Sequence, residues 1–493
     1  MSKHVAPLKA LSTAAAALLA ACAVGPDYHR PDAPVPATYK EGWKTGEPQD
    51  AIDRGAWWSI YNDPVLDQLE RQIDISNQNL RAAEAAYRQA RAVVAQARSG
   101  YYPTISVAGS VTRSGSGRTN GVTSPTGITR VGGGVQTQYD LTADATWSLD
   151  VWGRIRRTVE SDIANAQASA ADLASARLSA QATLATDYFD LRASDQQKRL
   201  LDAAVVAFTQ SLDITRNQYR VGVAGQTDVV TAQTQLETTR AQAVAVGVQR
   251  AQFEHAIAVL VGKPPADLSI APAPMPSNIP VVPTDVPSTL LERRPDIAAA
   301  ERLMVAANAQ IGAAEAAYYP DLTLSASYGF VGPSLDTLLH TSNEVWSIGP
   351  TLAQTLFNGG LRGAQLDQAR AVYDQNVATY RQTVLTGFQQ VEDQLAALRI
   401  LEQQAEVEAN AVRLAREAER LTLNQYKAGT VAYTAVITAQ TQALNNEQTE
   451  LTIVQNRLAA SVALVQALGG GWTTTQLPSD ADVKDNNPLD LLR

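Results

Sequence analysis

Few residues in this sequence could do covalent or metal chemistry, and their spacing does not gather them. The four histidines, His4, His29, His255 and His340, are scattered through 493 residues. A metal centre needs several His, Cys, Asp or Glu side chains within reach of one ion, so these imply no metal site. Gly115-Ser116-Gly117-Arg118-Thr119-Asn120-Gly121 has the glycine content of a phosphate loop without its spacing. It also lies between two strand-like stretches, whereas a dinucleotide loop joins a strand to a helix. Glu392 and Asp393 are adjacent carboxylates on a long amphipathic helical pattern, where a solvated face is their ordinary condition. No catalytic constellation emerges and no cofactor is implied. The sequence reads as that of a non-enzyme.

One residue does suggest chemistry. Cys22 is the sole cysteine, so no intrachain disulfide can form. Lys3 and Lys9 precede or flank an apolar run over 10–21, too short to span a bilayer and shaped like a secretory signal. Leu19-Ala20-Ala21-Cys22 resembles a bacterial lipobox, in which the cysteine becomes the lipidated first residue of the mature protein. Small neighbours suit the peptidase cleft, and the thiol is the nucleophile that takes the lipid. A plain signal peptide with a chance cysteine is the alternative. Ala23, where an acidic residue would retain the protein at the inner membrane, suits sorting to the outer membrane. No later stretch is long and apolar enough for a transmembrane helix. A formal net charge of −9 argues against a nucleic-acid partner.

The elements that position everything else come in two copies. Tyr219 to Leu236 and Tyr426 to Ala443, set against each other without a gap, are identical at 9 of 18 positions. Each reads as a helix ending at Tyr-basic-x-Gly, a short turn, and a new helix opening near a threonine. Gly222 and Gly429 sit where the helix must stop, because glycine takes left-handed backbone angles without a steric cost. Each copy is therefore the bend of a helical hairpin, and the chain is a duplicated unit built around the two bends.

The expected organisation follows in order. Residues 1–21 form the signal, and residues 22–63 a proline-punctuated tether whose Trp57 and Trp58 pack on the body. The first repeat, 64–261, contains a helix to about residue 100, a β-hairpin over 104–151 and a long helical hairpin over 155–261. A linker covers 262–293. The second repeat, 294–468, repeats the pattern with a β-hairpin over 321–357 and a helical hairpin over 361–468. Residues 469–493 are a polar tail. Tyr101-Tyr102-Pro103 and Tyr318-Tyr319-Pro320 close the entry helices, because a residue before proline is pushed out of the α region.

Residues 135–151 alternate with period two. Val135, Tyr139, Leu141, Ala143, Ala145, Trp147, Leu149 and Val151 share one face, while Gln136, Gln138, Asp140, Thr142, Asp144, Thr146, Ser148 and Asp150 share the other. Ile105, Val107 and Val111 suggest a partner strand. Leu322, Leu324, Ala326, Tyr328 and Phe330, then Trp346, Ile348, Pro350, Leu352 and Leu356, repeat the pair. Four such strands cannot close a membrane barrel, which needs at least about eight. Their greasy face must pack on a helix layer or join strands of other copies in a barrel; the strand length and aromatic ends favour the second outcome. Helices over 155–219 and 361–426 would each be about 100 Å long at 1.5 Å per residue. Leu366, Ala369, Tyr373, Asn376, Tyr380, Thr383, Gly387, Val391, Gln394, Leu398 and Leu401 show coiled-coil spacing along the second.

The whole resembles the TolC-like outer-membrane factor lipoproteins of tripartite efflux pumps. The resemblance rests on the lipobox with Val24-Gly25-Pro26-Asp27-Tyr28, on Arg293-Arg294-Pro295-Asp296-Ile297, on the paired Tyr-Tyr-Pro turns, on Phe357-Asn358-Gly359-Gly360 and on the two bends. It covers nearly the whole chain. It implies an α+β membrane protein: a homotrimer with a 12-stranded outer-membrane barrel, four strands per copy, continued by a periplasmic α-helical barrel with an equatorial α/β belt. The implied function is a passive exit duct for small toxic compounds, docked on a periplasmic adaptor and an inner-membrane pump. Type I protein secretion, or a coiled-coil structural lipoprotein, are the other readings.

The resemblance also assigns residues. Val221, Gly222, Val223, Ala428, Gly429 and Thr430 resemble the tip motif that meets the adaptor. Tyr426 and the pair Thr227 and Asp228 match the gate, with a Tyr426 hydroxyl to Asp228 carboxylate hydrogen bond expected. Asp228 could equally serve as a first-turn charge favoured by the helix dipole. Where many family members carry an aspartate and an arginine on the last helix this chain has Thr438 and Thr441, and where some have a second arginine it has Val431. A narrowing by Thr434 and Thr438, one turn apart, is therefore expected in place of an acidic ring. Asp140 and Asp144 would face the water-filled lumen and favour cations modestly.

Overall fold

The computed structural model describes residues 24–36, 38–40, 56–115, 122–124, 127–129, 135–276, 279–280 and 290–484. Cys22 and the signal lie outside them, as do residues 41–55, 281–289 and 485–493 and most of the first β-hairpin loop.

The chain enters its body through a 3-10 turn at Trp57–Tyr61, where both tryptophans are buried as expected. Helix α1 (Pro64–Ser76) opens with proline at its first position and with Asp63 accepting from the Val65 and Leu66 amides at 2.9 and 3.1 Å. The single helix expected to residue 100 is in fact two. Asn77 is extended, and its side chain accepts from the Leu80 amide to start α2 (Gln78–Ser99). The break lets Asn77 Nδ2 and Ser76 Oγ donate to the last carbonyls of a distant helix, Leu260 and Val261, at 2.8 and 2.6 Å. A continuous helix would leave those carbonyls without these partners.

Strand β1 (Thr104–Gly115) follows, then a small ribbon, β2 (Val122–Ser124) and β3 (Gly127–Thr129), then β4 (Val135–Leu149). Helix α3 (Arg154–Arg220) and helix α4 (Gln226–Leu260) make the first helical hairpin. A short α5 (Leu290–Arg293) leads to α6 (Pro295–Ala316), β5 (Asp321–Gly332) and β6 (Glu344–Ala353). The second hairpin is α7 (Leu361–Lys427) and α8 (Tyr433–Ala467), before a short α9 (Asp480–Lys484). The duplication is carried by the backbone. Both outgoing helices have 67 residues and both return helices 35. Thr104 corresponds to Asp321, an offset of 217, but Arg154 corresponds to Leu361, an offset of 207. The second copy is thus ten residues shorter between those points, within the β-hairpin segment.

The four long strands form one antiparallel sheet in the order β1-β4-β5-β6. Their register keeps the two faces separate across all four. Val107, Ala143, Tyr328 and Trp346 lie in one row, and Asp144 pairs with Ser106 and Ser327 on the opposite face. The strands end at Leu149 and Ala353, so Val151 and Leu356 fall beyond them, where the chain turns towards its helices. Ile105, Val107, Val111, Trp346, Ile348 and Leu352 are exposed. The apolar face therefore does not pack on a helix layer. The long helices pack on one another instead, in the lateral order α4-α3-α8-α7, with α2 and α6 flanking the upper parts of α3 and α7. All eleven positions of the expected coiled-coil series on α7 are buried or half-buried.

Polar anchors fix the extended segments to this frame. Arg30 donates to the Tyr380 hydroxyl and the Lys40 amide to Glu392, so the tether follows α7. The linker is held more deeply. Arg192 donates to the Ala271 carbonyl at 2.7 Å, Asp195 accepts from Ala273 and from Arg250 at 3.1 and 2.7 Å, and Glu254 accepts from Ile270 at 2.6 Å. Arg192 and Asp195 are buried, and their charges are compensated by one another and by linker backbone.

Candidate functional site at the paired helical bends

The two hairpin bends lie side by side at the ends of α3 and α7. In the first, α3 closes with Gly222 at φ 79° and the Val223 amide bonding Gln218 O at 2.9 Å. In the second, Gly429 stands at φ 72° and the Thr430 amide bonds Gln425 O at 3.0 Å. These are glycine-terminated helix ends of the kind the sequence predicts. A Cβ added at either glycine would meet nothing within 4 Å. Backbone angle, and not crowding inside the chain, is the reason for glycine there. Val221, Gly222, Val223, Ala428, Gly429 and Thr430 form an exposed or half-exposed surface around the two turns, with Val221 and Val223 bare to solvent.

Behind that surface is a polar seam between the hairpins. The Tyr426 hydroxyl donates to Thr215 Oγ1 at 3.1 Å, and Gln218 Nε2 donates to the Tyr426 carbonyl at 3.0 Å. One level further from the bend, Gln440 Nε2 donates to Ser211 Oγ at 3.0 Å. Tyr433 packs its ring 5.3 Å from that of Tyr426. Leu212, Leu236, Val436 and Leu444 surround these groups. Hydrogen bonds shielded in this way are costly to leave unmade, so the seam holds α3 in a defined register against the end of α7 and against α8.

The hydrogen bond expected between Tyr426 and Asp228 is not formed. The Asp228 carboxylate accepts from the Gly225 amide at 3.2 Å, reaching back from the first turn to satisfy a backbone donor at the start of α4. Its short side chain is committed to its own helix end, while the tyrosine reaches sideways to α3. Asp228 is still near enough to be felt. Burial raises the pKa of both tyrosines, Tyr433 being pushed up to about 12, and the Asp228 charge adds in the same direction. Sequence reasoning missed Thr215, Gln218, Ser211 and Gln440. The one available signal was that these polar residues interrupt apolar positions on otherwise amphipathic helices.

Thr434 and Thr438 are exposed one turn apart, on the side of α8 opposite Tyr433, Val436 and Gln440. Thr438 Oγ1 bonds back to the Thr434 carbonyl. Thr227 is exposed on α4. At the other end of the molecule, Asp140 and Asp144 lie together on the polar face of the sheet. Ser110 and Gln138 donate to Asp140, and Thr142 donates to Asp144 at 3.0 Å. Among the described residues no group of three or more His, Cys, Asp or Glu is placed to hold a metal ion. No helix of those residues is long and apolar enough to cross a membrane.

Comparison with known proteins places this architecture. The family described as outer membrane efflux protein matches residues 69–263 and 286–470, one stretch for each repeat. The toluene efflux pump outer membrane protein TtgF of Pseudomonas putida is 32% identical over 475 residues, covering 94% of this chain and 96% of TtgF. The antibiotic efflux pump outer membrane protein ArpC of Pseudomonas putida is 32% identical over 460 residues, covering 92% and 94%. The solved outer-membrane channel OprN superposes with a TM-score of 0.85 at 29% identity, over 92% of this chain and 100% of OprN.

Proposed function

The chain belongs to the outer membrane efflux protein family, and from that premise we propose that three copies of it assemble into one closed exit duct. Its place is the outer membrane and its role is efflux. The single observation that carries the assembly is the sheet: four strands with a bare apolar face, a polar face, and β1 and β6 at its two edges. An even number of antiparallel strands lets β6 of one copy pair antiparallel with β1 of the next, so three copies give a 12-stranded barrel without edges. Its outer face would meet lipid, and Asp140 and Asp144 would line the water-filled interior.

The helices support the same closure. The outer helices of the lateral row, α4 and α7, carry exposed apolar residues: Val230, Val244 and Val248 on one, and Ile400, Val407, Leu414 and Leu421 at heptad spacing on the other. Such stripes suit packing of α7 on α4 of the next copy. The helical hairpins then continue the barrel as an α-helical tube, ringed by a belt of tether, linker and tail. At its far end the exposed surface from Val221 to Val223 and from Ala428 to Thr430 would dock a periplasmic adaptor that bridges to an inner-membrane pump. Thr434, Thr438 and Thr227 would narrow the opening, with the Tyr426 seam holding it shut. The cargo would be small organic compounds, the class that the names of TtgF and ArpC indicate for those proteins.

Cys22 would carry the lipid. The Val24 amide bonds the Trp152 carbonyl at 3.3 Å, and the Trp152 indole donates to Pro320 O at 2.8 Å, where sheet gives way to helix. Two residues of chain span at most about 7 Å. A lipid on Cys22 would therefore enter the membrane beside the base of the barrel. Native mass measurement of the purified protein, with solute flux through liposomes containing it, tests the proposal. Three lipid-bearing copies are expected, with slow passage of small solutes that quickens when Thr215→Val weakens the seam; a single-copy particle, or a three-copy particle whose liposomes stay sealed in both forms, would overturn it.

A further inference from the structure

The duplication allows a contact between copies to be read from a contact within one copy. Inside the chain, the second hairpin leans on the first through Tyr426, Thr215 and Gln218. The offset of 207 maps Tyr426 onto Tyr219, Thr215 onto Thr422 and Gln218 onto Gln425. All three residue types are preserved. Tyr219 is 46% exposed, against 4% for Tyr426, and its hydroxyl has no partner among the described residues. Thr422 is half-buried and Gln425 exposed, on the α7 edge of the helical row. The first hairpin thus carries the tyrosine of a seam, the second carries the threonine and glutamine, and nothing within one chain brings them together.

Resting on the three-copy reading above, we propose that these groups form the seam between neighbouring copies. The Tyr219 hydroxyl of one copy donates to Thr422 Oγ1 of the next, whose Gln425 Nε2 donates to the Tyr219 carbonyl. The partner is a second copy of this chain, recognised by the same hydrogen-bond pattern that joins its own two hairpins.

The two seams are not of equal strength. Ser211, which accepts from Gln440 within the chain, corresponds to Ala418, so Gln233 finds no hydroxyl in the equivalent place. Tyr433, packed on Tyr426, corresponds to Gln226. The seam between copies keeps two hydrogen bonds and loses the third, together with the ring contact. When the tip opens, the seam between copies therefore parts first, and the stronger seam within each copy parts after it.

Chemical cross-linking tests this directly, since Cys22 is the sole native cysteine. Full-length protein carrying Tyr219→Cys with Thr422→Cys is treated with a bifunctional maleimide whose spacer matches the reach of a tyrosine side chain. A spacer is needed because Cα atoms more than about 7 Å apart cannot be joined by a direct disulfide. Tyr426→Cys with Thr215→Cys calibrates the reagent within one chain, and native mass is measured on the same samples. The 219/422 pair should run as covalent dimers and trimers on denaturing gels. The 215/426 pair should gain an internal link and stay monomeric, as should each single variant. A three-copy particle whose 219/422 pair stays monomeric while 215/426 reacts fully would overturn the seam and leave the assembly standing. Dimers from either single variant would also overturn it. A single-copy native mass would remove the three-copy reading, and the seam with it.

Discussion

The two repeats share helix lengths and bend geometry, yet they treat equivalent side chains differently. At the bends, Tyr426 is buried in the seam while Tyr219 stands exposed. At mid-height the contrast reverses. In the first repeat Arg192, Asp195 and Arg250 grip the linker in a buried network. Their counterparts in the second are Arg399, Glu402 and Arg457, where the Glu402–Arg457 pair is 3.8 Å apart and the carboxylate is 37% exposed, against 2% for Asp195. The difference teaches that duplication supplies the frame, and that each repeat is then specialised by whatever segment crosses it. The linker crosses the first repeat, and the second hairpin's own tyrosine closes the bend.

The largest effect expected from this contrast lies in the linker clamp. Asp195→Ala would leave the buried Arg192 without its carboxylate and Arg250 with Glu254 alone, and should cost about 3–5 kcal/mol. Glu402→Ala, on the open counterpart, should cost about 1 kcal/mol or less. Thermal and denaturant unfolding of the two variants measures the gap; equal losses would break the comparison.

The helix ends give the next pair. Gly262 has φ 68°, and a Cβ there would lie 2.1 Å from the Ser76 carbonyl oxygen, whereas the space around Gly222 is open. Gly222→Ala should cost about 1 kcal/mol of backbone strain, and Gly262→Ala at least about twice that. Urea midpoints of the two variants give the ordering.

Acidity sharpens the comparison further. Glu70 in the first repeat is fully buried, with neither carboxylate oxygen hydrogen-bonded among the described residues. Burial, with Asp74 adding, holds its carboxyl well above the usual range. Asp187 is pushed up to about 6 by burial and by Asp190. A raised acid keeps its proton when folded at a pH where the unfolded chain has lost it. Its contribution is complete below the unfolded value, near 4, and is lost as pH rises through the folded value. The protein should therefore unfold at lower temperature at pH 8 than at pH 5, and Glu70→Gln should flatten that slope. A wild-type stability that rises over this interval would contradict the assignment.

Much of this was legible in the sequence. The period-two alternation over 135–149 marked a two-faced strand because a sheet has only two sides, and the register keeps them apart. The bends were legible because glycine at a helix end is a local signal. The break at Asn77 was missed because the apolar spacing continues across it; only its cap, an asparagine before Gln78, announced it. Tyr426 was assigned the wrong partner because Thr215 is 211 residues away, and no local pattern distinguishes it from the other threonines of α3. The linker clamp was missed for the same reason. Arg192 and Asp195 read locally as an ordinary i,i+3 pair, and only packing shows them buried.

The smallest energetic change tests the central claim most directly. Thr215→Val removes the acceptor of the Tyr426 hydroxyl, a loss of about 1 kcal/mol and roughly a fivefold shift towards the open tip for each copy that parts. Single-channel conductance in planar bilayers would be recorded for the purified wild type and for this variant. A duct closed at its tip predicts small, mostly closed wild-type events that become larger and more frequent in the variant. Correctly assembled, membrane-inserted protein that conducts in neither form would contradict the account.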